Sequence, residues 1–248
     1  MIEIDNIYNM DCLEGMKLIP DGSVDAVICD LPYGTTACKW DSVIPFEPLW
    51  EQYHRVCKPN AAIVLFGSEP FSSMLRMSNI KEYRYDFVWE KTKAGNFALA
   101  RKNPLKLHET ISVFYREFPT YNLWNLHPLD KPVKSSRAKK GANLGHCVDK
   151  GDYYQTETGF HRSILKYGNP SNAGHLHPTQ KPVDLIAYLI RTYSNPGDTI
   201  LDNTIGSGTT AVAALREKRH FVGFELDKGY FDMATKRIKA EQSQLCLF

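Results

Sequence analysis

The sequence lacks an apolar run of the roughly 20 residues that a membrane-spanning helix needs, and its N-terminus lacks the charged-then-apolar pattern of a signal peptide. It also lacks any C-x-x-C pair. The six cysteines, Cys12, Cys29, Cys38, Cys57, Cys147 and Cys246, are scattered without the spacing of a zinc site. Cys29 and Cys57 fall inside apolar segments, where cysteine acts as a small hydrophobe. These absences lead to the expectation of a soluble protein of a reduced, cytoplasmic compartment, with no bound metal and no membrane partner. Internal repeats are missing, and net charge is only +2 over 248 residues, so the overall balance names no partner. Disorder is excluded as the main state by ordinary contents of 43% hydrophobic and 23% charged residues. The length suits one large domain, or one domain carrying an insertion.

What is present is an alternation of strand and helix signals. Val24–Cys29 is a β-branched apolar run stopped at Asp30-Leu31-Pro32. Phe46, Leu49, Trp50, Tyr53, Val56 and Cys57 recur at helical spacing up to Lys58-Pro59, and Ala61–Phe66 is a second apolar strand. Tyr83–Trp89 and Thr110–Tyr115 read as further strands. Residues 116–175 break the rhythm, being rich in Asn, Gly, Lys, His and Tyr and too long for an ordinary connection. From Arg116 to Lys166 there are nine Lys/Arg against five Asp/Glu, so that positive charge gathers in one stretch. Order returns with a helix at Ile186–Tyr193, a strand at Thr199–Leu201, a helix at Thr209–Glu217, a strand at Phe221–Phe224 and a last helix around Tyr230–Ile238. The pattern implies an α/β fold with a parallel sheet, its catalytic domain formed by 1–115 and 176–248 and interrupted by a basic insertion at 116–175.

Ile200–Ala211 is a strand, a glycine turn and a helix start. Gly206 and Gly208 let backbone approach a ligand closely, and Thr209 and Thr210 suit the helix entrance. Glu225 closes the next strand at near the spacing used to grip ribose hydroxyls. Gly206-x-Gly208-x-x-Ala211 also satisfies the dinucleotide pattern, so NAD fits this turn, and so does a tight turn without ligand. Asp202 shifts the balance, because a carboxylate at the strand tip repels a pyrophosphate but suits a ligand bearing an ammonium group, as S-adenosylmethionine does. A capping aspartate is the plain structural alternative.

The second strand tip is Asp30-Leu31-Pro32-Tyr33-Gly34. Ligands of open parallel sheets bind beyond the carboxyl ends of strands, which would bring Asp30 and Asp202 to one edge. A carboxylate, a carbonyl on a proline-restricted residue and an aromatic face are the parts needed to hold a planar amine. The plain alternative is a strand-ending turn that uses Pro and Gly.

Asp30-Leu31-Pro32-Tyr33, followed late in the chain by Asp202-x-x-x-Gly206-Ser207-Gly208-Thr209-Thr210, resembles the amino-methylating DNA methyltransferases, in the motif order of their permuted β group. The likeness implies a Rossmann-like S-adenosylmethionine-dependent methyltransferase sheet with helices on both faces and an inserted target-recognition segment. Asn9–Glu14, with Asp11 and Cys12, resembles the opening that lies near the cofactor adenine. His177-Pro178-Thr179-Gln180-Lys181-Pro182 resembles the block that holds the methionine part, which makes His177, Thr179, Gln180 and Lys181 cofactor-binding candidates. Trp89-x-Lys91 through Arg101 to His108-Glu109-Thr110 resembles the segment bordering the target base. Two departures stand out: Leu31 replaces the usual second proline, and Asp202-Asn203-Thr204 replaces the usual Asp-Pro-Phe.

The resemblance implies site-specific transfer of a methyl group to N6 of a flipped-out adenine in duplex DNA, since Asp30 rather than serine stands first in the tetrapeptide. Asp30, Leu31, Pro32 and Tyr33 would then be the catalytic set. Lys91, Arg101, Arg137, Lys139 and Lys140 become DNA-contact candidates, and Asn143 or Asn172 candidate base readers; for any one lysine a solvated loop is the plain alternative. Asp41, with Trp40, is expected in a closing loop or in core packing. N4-cytosine methylation, methylation of RNA or protein amides, and a non-catalytic DNA-binding module of the same fold remain open alternatives. A homodimer and a cognate restriction endonuclease are compatible with the family, and no motif marks either.

Overall fold

The computed structural model of the chain describes residues 2–35, 41–95, 97–135, 153–169 and 180–245. In chain order its elements are β1 (Asn6–Tyr8), α1 (Cys12–Met16), β2 (Val24–Cys29), α2 (Phe46–Val56), β3 (Cys57–Gly67), α3 (Phe71–Ser78), β4 (Tyr83–Glu90), β5 (His108–Phe114), β6 (His127–Ser135), β7 (Tyr153–Thr158), β8 (Ile164–Lys166), α4 (Val183–Tyr193), β9 (Thr199–Asp202), α5 (Thr209–Arg216), β10 (His220–Phe224) and α6 (Lys228–Leu245). Eight strands form one sheet in the order β1-β10-β9-β2-β3-β5-β4-β8, and β6 and β7 pair separately.

β2 lies mid-sheet and is apolar at nearly every position because both its faces are covered. Ala26 and Ile28 join a core shared with α4, α5 and α6. Val27 and Cys29 join the opposite core, shared with α1, α2 and α3. This is a Rossmann-like α/β sheet with helices on both faces. Leu49, Trp50, Tyr53 and Val56 form the buried stripe of α2, as their spacing predicts. The chain then enters β3 at once. Val24 pairs with Cys57 and Ala26 with Ala62, so the Lys58-Pro59 stretch is accommodated as an irregularity at the strand's start, where a proline costs no ladder bond. No helix among the described residues is long and apolar enough to cross a membrane.

Two features differ from the sequence expectation. The sheet is mixed, because β5 runs antiparallel to both β3 and β4. Periodicity reports burial and says little about strand direction, which is why the alternation pattern suggested an all-parallel sheet. The compact units also divide elsewhere than at 116 and 175: one comprises Met1–Asn122 and Ser163–Phe248, the other Leu123–Arg162. Inside the first, the Asn122 side-chain amide donates to the carbonyls of Arg191 and Ser194 at 3.1 and 2.9 Å, and β8 pairs in parallel with β4. The second unit holds the antiparallel pair β6–β7, from His127 opposite Thr158 to Ser135 opposite Tyr153.

Candidate active site

β2 and β9 are adjacent and parallel, with Ala26 opposite Ile200 and Val27 opposite Leu201. The residues following them therefore leave the sheet side by side. Asp30 and Asp202 both line one cavity of about 400 Å³, together with Leu31, Pro32 and Tyr33.

The loop after β2 is held by short contacts. The Leu31 side chain is buried in the core on the α1–α3 side, so packing anchors the turn where a proline would have stiffened it. The Tyr33 hydroxyl donates to Asp30 Oδ1 at 2.5 Å, and its ring stacks on Phe71 with centroids 5.1 Å apart. Gly34 sits at φ +67°, a left-handed conformation that a side chain resists. Asp41, buried, accepts from the amides of Gly34 and Thr35 at 2.8 and 2.9 Å. It clamps the loop from within.

The glycine turn is tied on both sides. Gly208, at φ +79°, forms the cap of α5 without lining the cavity, and a side chain there would press on Ala234 of α6. Gly206 donates its amide to Glu225 Oε2 at 2.9 Å, while Glu225 Oε1 accepts from the Asp227 amide. Arg237 of α6 donates to the Ser207 carbonyl and to Thr209 Oγ1, both at 3.0 Å. Asp202 is buried and accepts from the Thr204 amide at 3.2 Å. Burial pushes its carboxyl up to about 6, against hydrogen bonding from Thr210. Burial likewise raises Glu225.

The remaining predicted residues fall into three groups. Asp11 caps α1, accepting from the amides of Leu13 and Glu14 at 2.9 and 3.2 Å, and also lines the cavity beside Cys12. Burial pushes the Cys12 thiol to about 11, which makes it a packing residue rather than a nucleophile. Gln180 lines the cavity too, and its Oε1 is buried without a hydrogen-bond partner among the described residues. Arg101 is exposed. Lys91 is largely buried and ion-paired with Glu109 rather than turned to solvent. His177, Thr179, Arg137, Lys139, Lys140, Trp40, Asn143 and Asn172 lie outside the described residues.

Sequence reasoning missed the ionic array beside Asp30. The Lys181 ammonium pairs with Asp30 Oδ2 and lies 3.3 Å from Glu109 Oε2, and Glu109 Oε1 takes Lys91. Glu109 lines the cavity. It stands in a segment that the sequence likens to the border of the target base, but nothing local distinguishes it from a surface acid. Burial drives Asp30 above the usual carboxylate range, against the pull of Lys181. Burial would raise Glu109 too, but the Lys181 and Lys91 ammoniums outweigh it and hold it low.

An orphaned acceptor on Gln180, a buried carboxylate on Asp202 and a second acid at the glycine turn fit a ligand with an ammonium group and ribose hydroxyls. A parallel-strand cleft lined by this set of acids and acceptors suits S-adenosylmethionine, which carries both groups. The comparisons with known proteins agree. Residues 24–236 match the family model described as DNA methylase, N6_N4_Mtase. The chain is 30% identical to the type II methyltransferase M.BglII of Bacillus subtilis, over 97% of its own length and 71% of the relative's. It is 25% identical to M1.MboII of Moraxella bovis, over 95% and 96%. In fold it is similar to the M1.HpyAVI–SAM complex, with a TM-score of 0.63 and 24% identity over 94% of this chain and 98% of that one. A TM-score of 0.69 relates it to the cytosine-N4-specific PvuII methyltransferase, at 16% identity over 96% and 91%. This chain belongs to the N6/N4 DNA methylase family, and its methyl donor is S-adenosylmethionine.

Proposed function

We propose that the protein methylates N6 of adenine at specific sites in duplex DNA. The observation that carries the reading is a carboxylate, Asp30, at the cavity wall beside the glycine turn, in a tetrapeptide that resembles the adenine-specific type. S-adenosylmethionine, when bound, would supply a sulfonium methyl: the C–N bond forms as the C–S bond breaks, the sulfur leaves as a neutral thioether, and the methylated nitrogen gives up one proton to solvent. Asp202 would meet its ammonium, Glu225 its ribose, and Gln180 its methionine part.

The rest is done by the loop after β2. The exocyclic nitrogen of adenine is a poor nucleophile because its lone pair is delocalised into the ring. Asp30 accepts one of its N–H groups and the Leu31 carbonyl the other, which favours a more tetrahedral nitrogen with its lone pair free. Tyr33 offers the ring a face. These are positioning and electrostatic roles, without a covalent enzyme intermediate. An amine inside a duplex cannot reach them, so the base is flipped out. The basic segment within 116–175 carries sequence recognition, with Arg137, Lys139 and Lys140 on phosphates.

The test is direct. Methyl-labelled cofactor and duplex DNA are incubated with the protein, and the DNA is digested to nucleosides. Label in N6-methyladenine is expected; label in N4-methylcytosine overturns the choice of base.

A further inference from the structure

Lys181 precedes α4, immediately before Pro182, and its side chain is only 7% exposed. Its ammonium lies between two carboxylates, Asp30 and Glu109, and over the rings of Phe66 and Tyr33, with centroids at 5.3 and 5.9 Å. Glu109 is held in turn by Lys91, which lies 4.8 Å over the Trp89 ring. Asp30, Lys181, Glu109 and Lys91 thus alternate in sign and sum to zero charge. Among the described residues, the other titratable groups facing Asp30 are the Tyr33 hydroxyl on Oδ1, the Cys29 thiol of its own strand and Asp202 on neighbouring β9. None of these three carries positive charge.

We propose that Lys181 is a positioning residue for the catalytic carboxylate and does not bind the cofactor: it keeps Asp30 charged and fixed in rotamer, with Glu109 as its second counterion and Lys91 as the further counterion of Glu109. The inference rests on the methyltransferase reading and deepens it. An ionised carboxylate has about four lone-pair positions. Tyr33 and Lys181 take one on each oxygen, which leaves room for the target N–H. Without Lys181, Asp30 would be a partly buried acid beside two further acids, Glu109 and Asp202. Such a group neutralises itself by taking a proton, and a protonated carboxyl is a far poorer acceptor for the amine. Lys181 is also ill placed to bind the carboxylate of the cofactor's methionine part, because its own charge is engaged by two protein carboxylates.

The experiment uses the full chain with Lys181→Met, Lys181→Arg and Glu109→Gln. Three quantities are measured: S-adenosylmethionine affinity by calorimetry, the single-turnover methylation rate from about pH 6 to pH 9, and the 13C titration of the Asp30 carboxyl in the absence of cofactor. Lys181→Met is expected to leave cofactor affinity within about threefold and to slow methylation about 100-fold near pH 7, the cost of a misplaced catalytic group. Its acid limb and the Asp30 titration should both move to higher pH, and Lys181→Arg should restore part of each. Glu109→Gln removes a repelling carboxylate and leaves Lys181 to Asp30 alone, so both should move to lower pH. Opposite shifts from two neighbouring substitutions are a signature that loss of packing does not produce. The assignment is overturned if cofactor affinity falls in step with rate, or if rate falls equally at every pH with the Asp30 titration unmoved. Should Lys181→Met fail to fold, Lys181→Gln, which keeps a polar side chain without the charge, takes its place: both quantities should again move to higher pH, and an unmoved Asp30 titration overturns the assignment. A wild-type protein inactive on DNA at every pH would sink the functional reading instead, and the carboxyl titration would still report on the Lys181–Asp30 pair.

Discussion

The Thr204 hydroxyl donates to the backbone carbonyl of Asp30 at 2.9 Å and lies 3.0 Å from Cys29 Sγ. It joins the turn that follows β9 to the loop that follows β2. Asn203, its neighbour, accepts from the buried Tyr53 hydroxyl at 2.6 Å. At the two positions where the family usually carries Pro-Phe, this chain therefore has hydrogen bonds in place of aromatic packing. The turn after β9 and the loop after β2, which both line the cavity, are coupled directly through the Thr204 hydroxyl.

Thr204→Val keeps the shape and removes the hydroxyl. Stability should fall by about 1 kcal/mol, and the methylation rate should fall more than cofactor affinity does, because the Asp30 loop loses its tether. Denaturant unfolding, calorimetry and single-turnover rates measure the three. A rate unchanged beside a lowered stability would confine Thr204 to a structural role.

Asp30→Ala should reduce methylation by about 10³-fold or more, with cofactor binding nearly intact, because Asp30 acts on the target amine. Calorimetry alongside activity checks it. A drop in cofactor binding as large as the drop in rate would give Asp30 a structural role.

Asp202 links pH to both stability and binding. Its pKa rises on folding from 3.8 to about 6, so between those values the folded protein holds a proton that the unfolded chain has lost. The stabilisation this brings is complete below pH 3.8 and is lost as pH rises through 6. Above that, the ionised buried carboxylate costs the ligand-free protein on the order of 3 kcal/mol. Asp202→Asn should therefore raise the melting temperature near pH 8, by about 2–4 °C per kcal/mol recovered, and leave it unchanged near pH 4. Cofactor affinity should fall at least about tenfold, the worth of one charged hydrogen bond. A variant that melts no higher at pH 8 yet binds cofactor normally would contradict both arguments.

Three phosphates neutralised by the basic segment would make log K for DNA fall with log salt at a slope near −2.7. Replacing Lys139 and Lys140 with alanine should flatten that slope by roughly one unit for each phosphate no longer neutralised. An unchanged slope would return both lysines to a solvated loop.

Leu123–Arg162 forms its own compact unit, and residues 116–122 and 163–169 belong with the main sheet. Replacing 123–162 with a short Gly/Ser linker should leave a core that folds and binds S-adenosylmethionine but no longer methylates a defined site. Methylation of the parent's site by the shortened protein would locate recognition in the core loops.

What the sequence determined by itself were the local features. Val24–Cys29 had to be a buried strand because nearly all of it is apolar, and the residues that close it and follow it, Asp30 to Gly34, place within one turn a carboxylate, a carbonyl and an aromatic face. Gly206 and Gly208 announced a turn of unusual backbone, and the order of the motifs was enough to suggest the reaction class. Tertiary structure decided what depends on distant partners. The antiparallel β5 was invisible because burial patterns do not record strand direction. The roles of Lys181 and Glu109 were invisible because an ion pair is set by where the chain returns in space, and here it returns 151 positions after Asp30. Read locally, Lys181 was one more basic residue in a cofactor block and Glu109 an ordinary acid at the start of a strand. Only the fold buries both beside Asp30, and burial gives those charges their consequence, since a pair that is weak in water becomes strong where water is excluded.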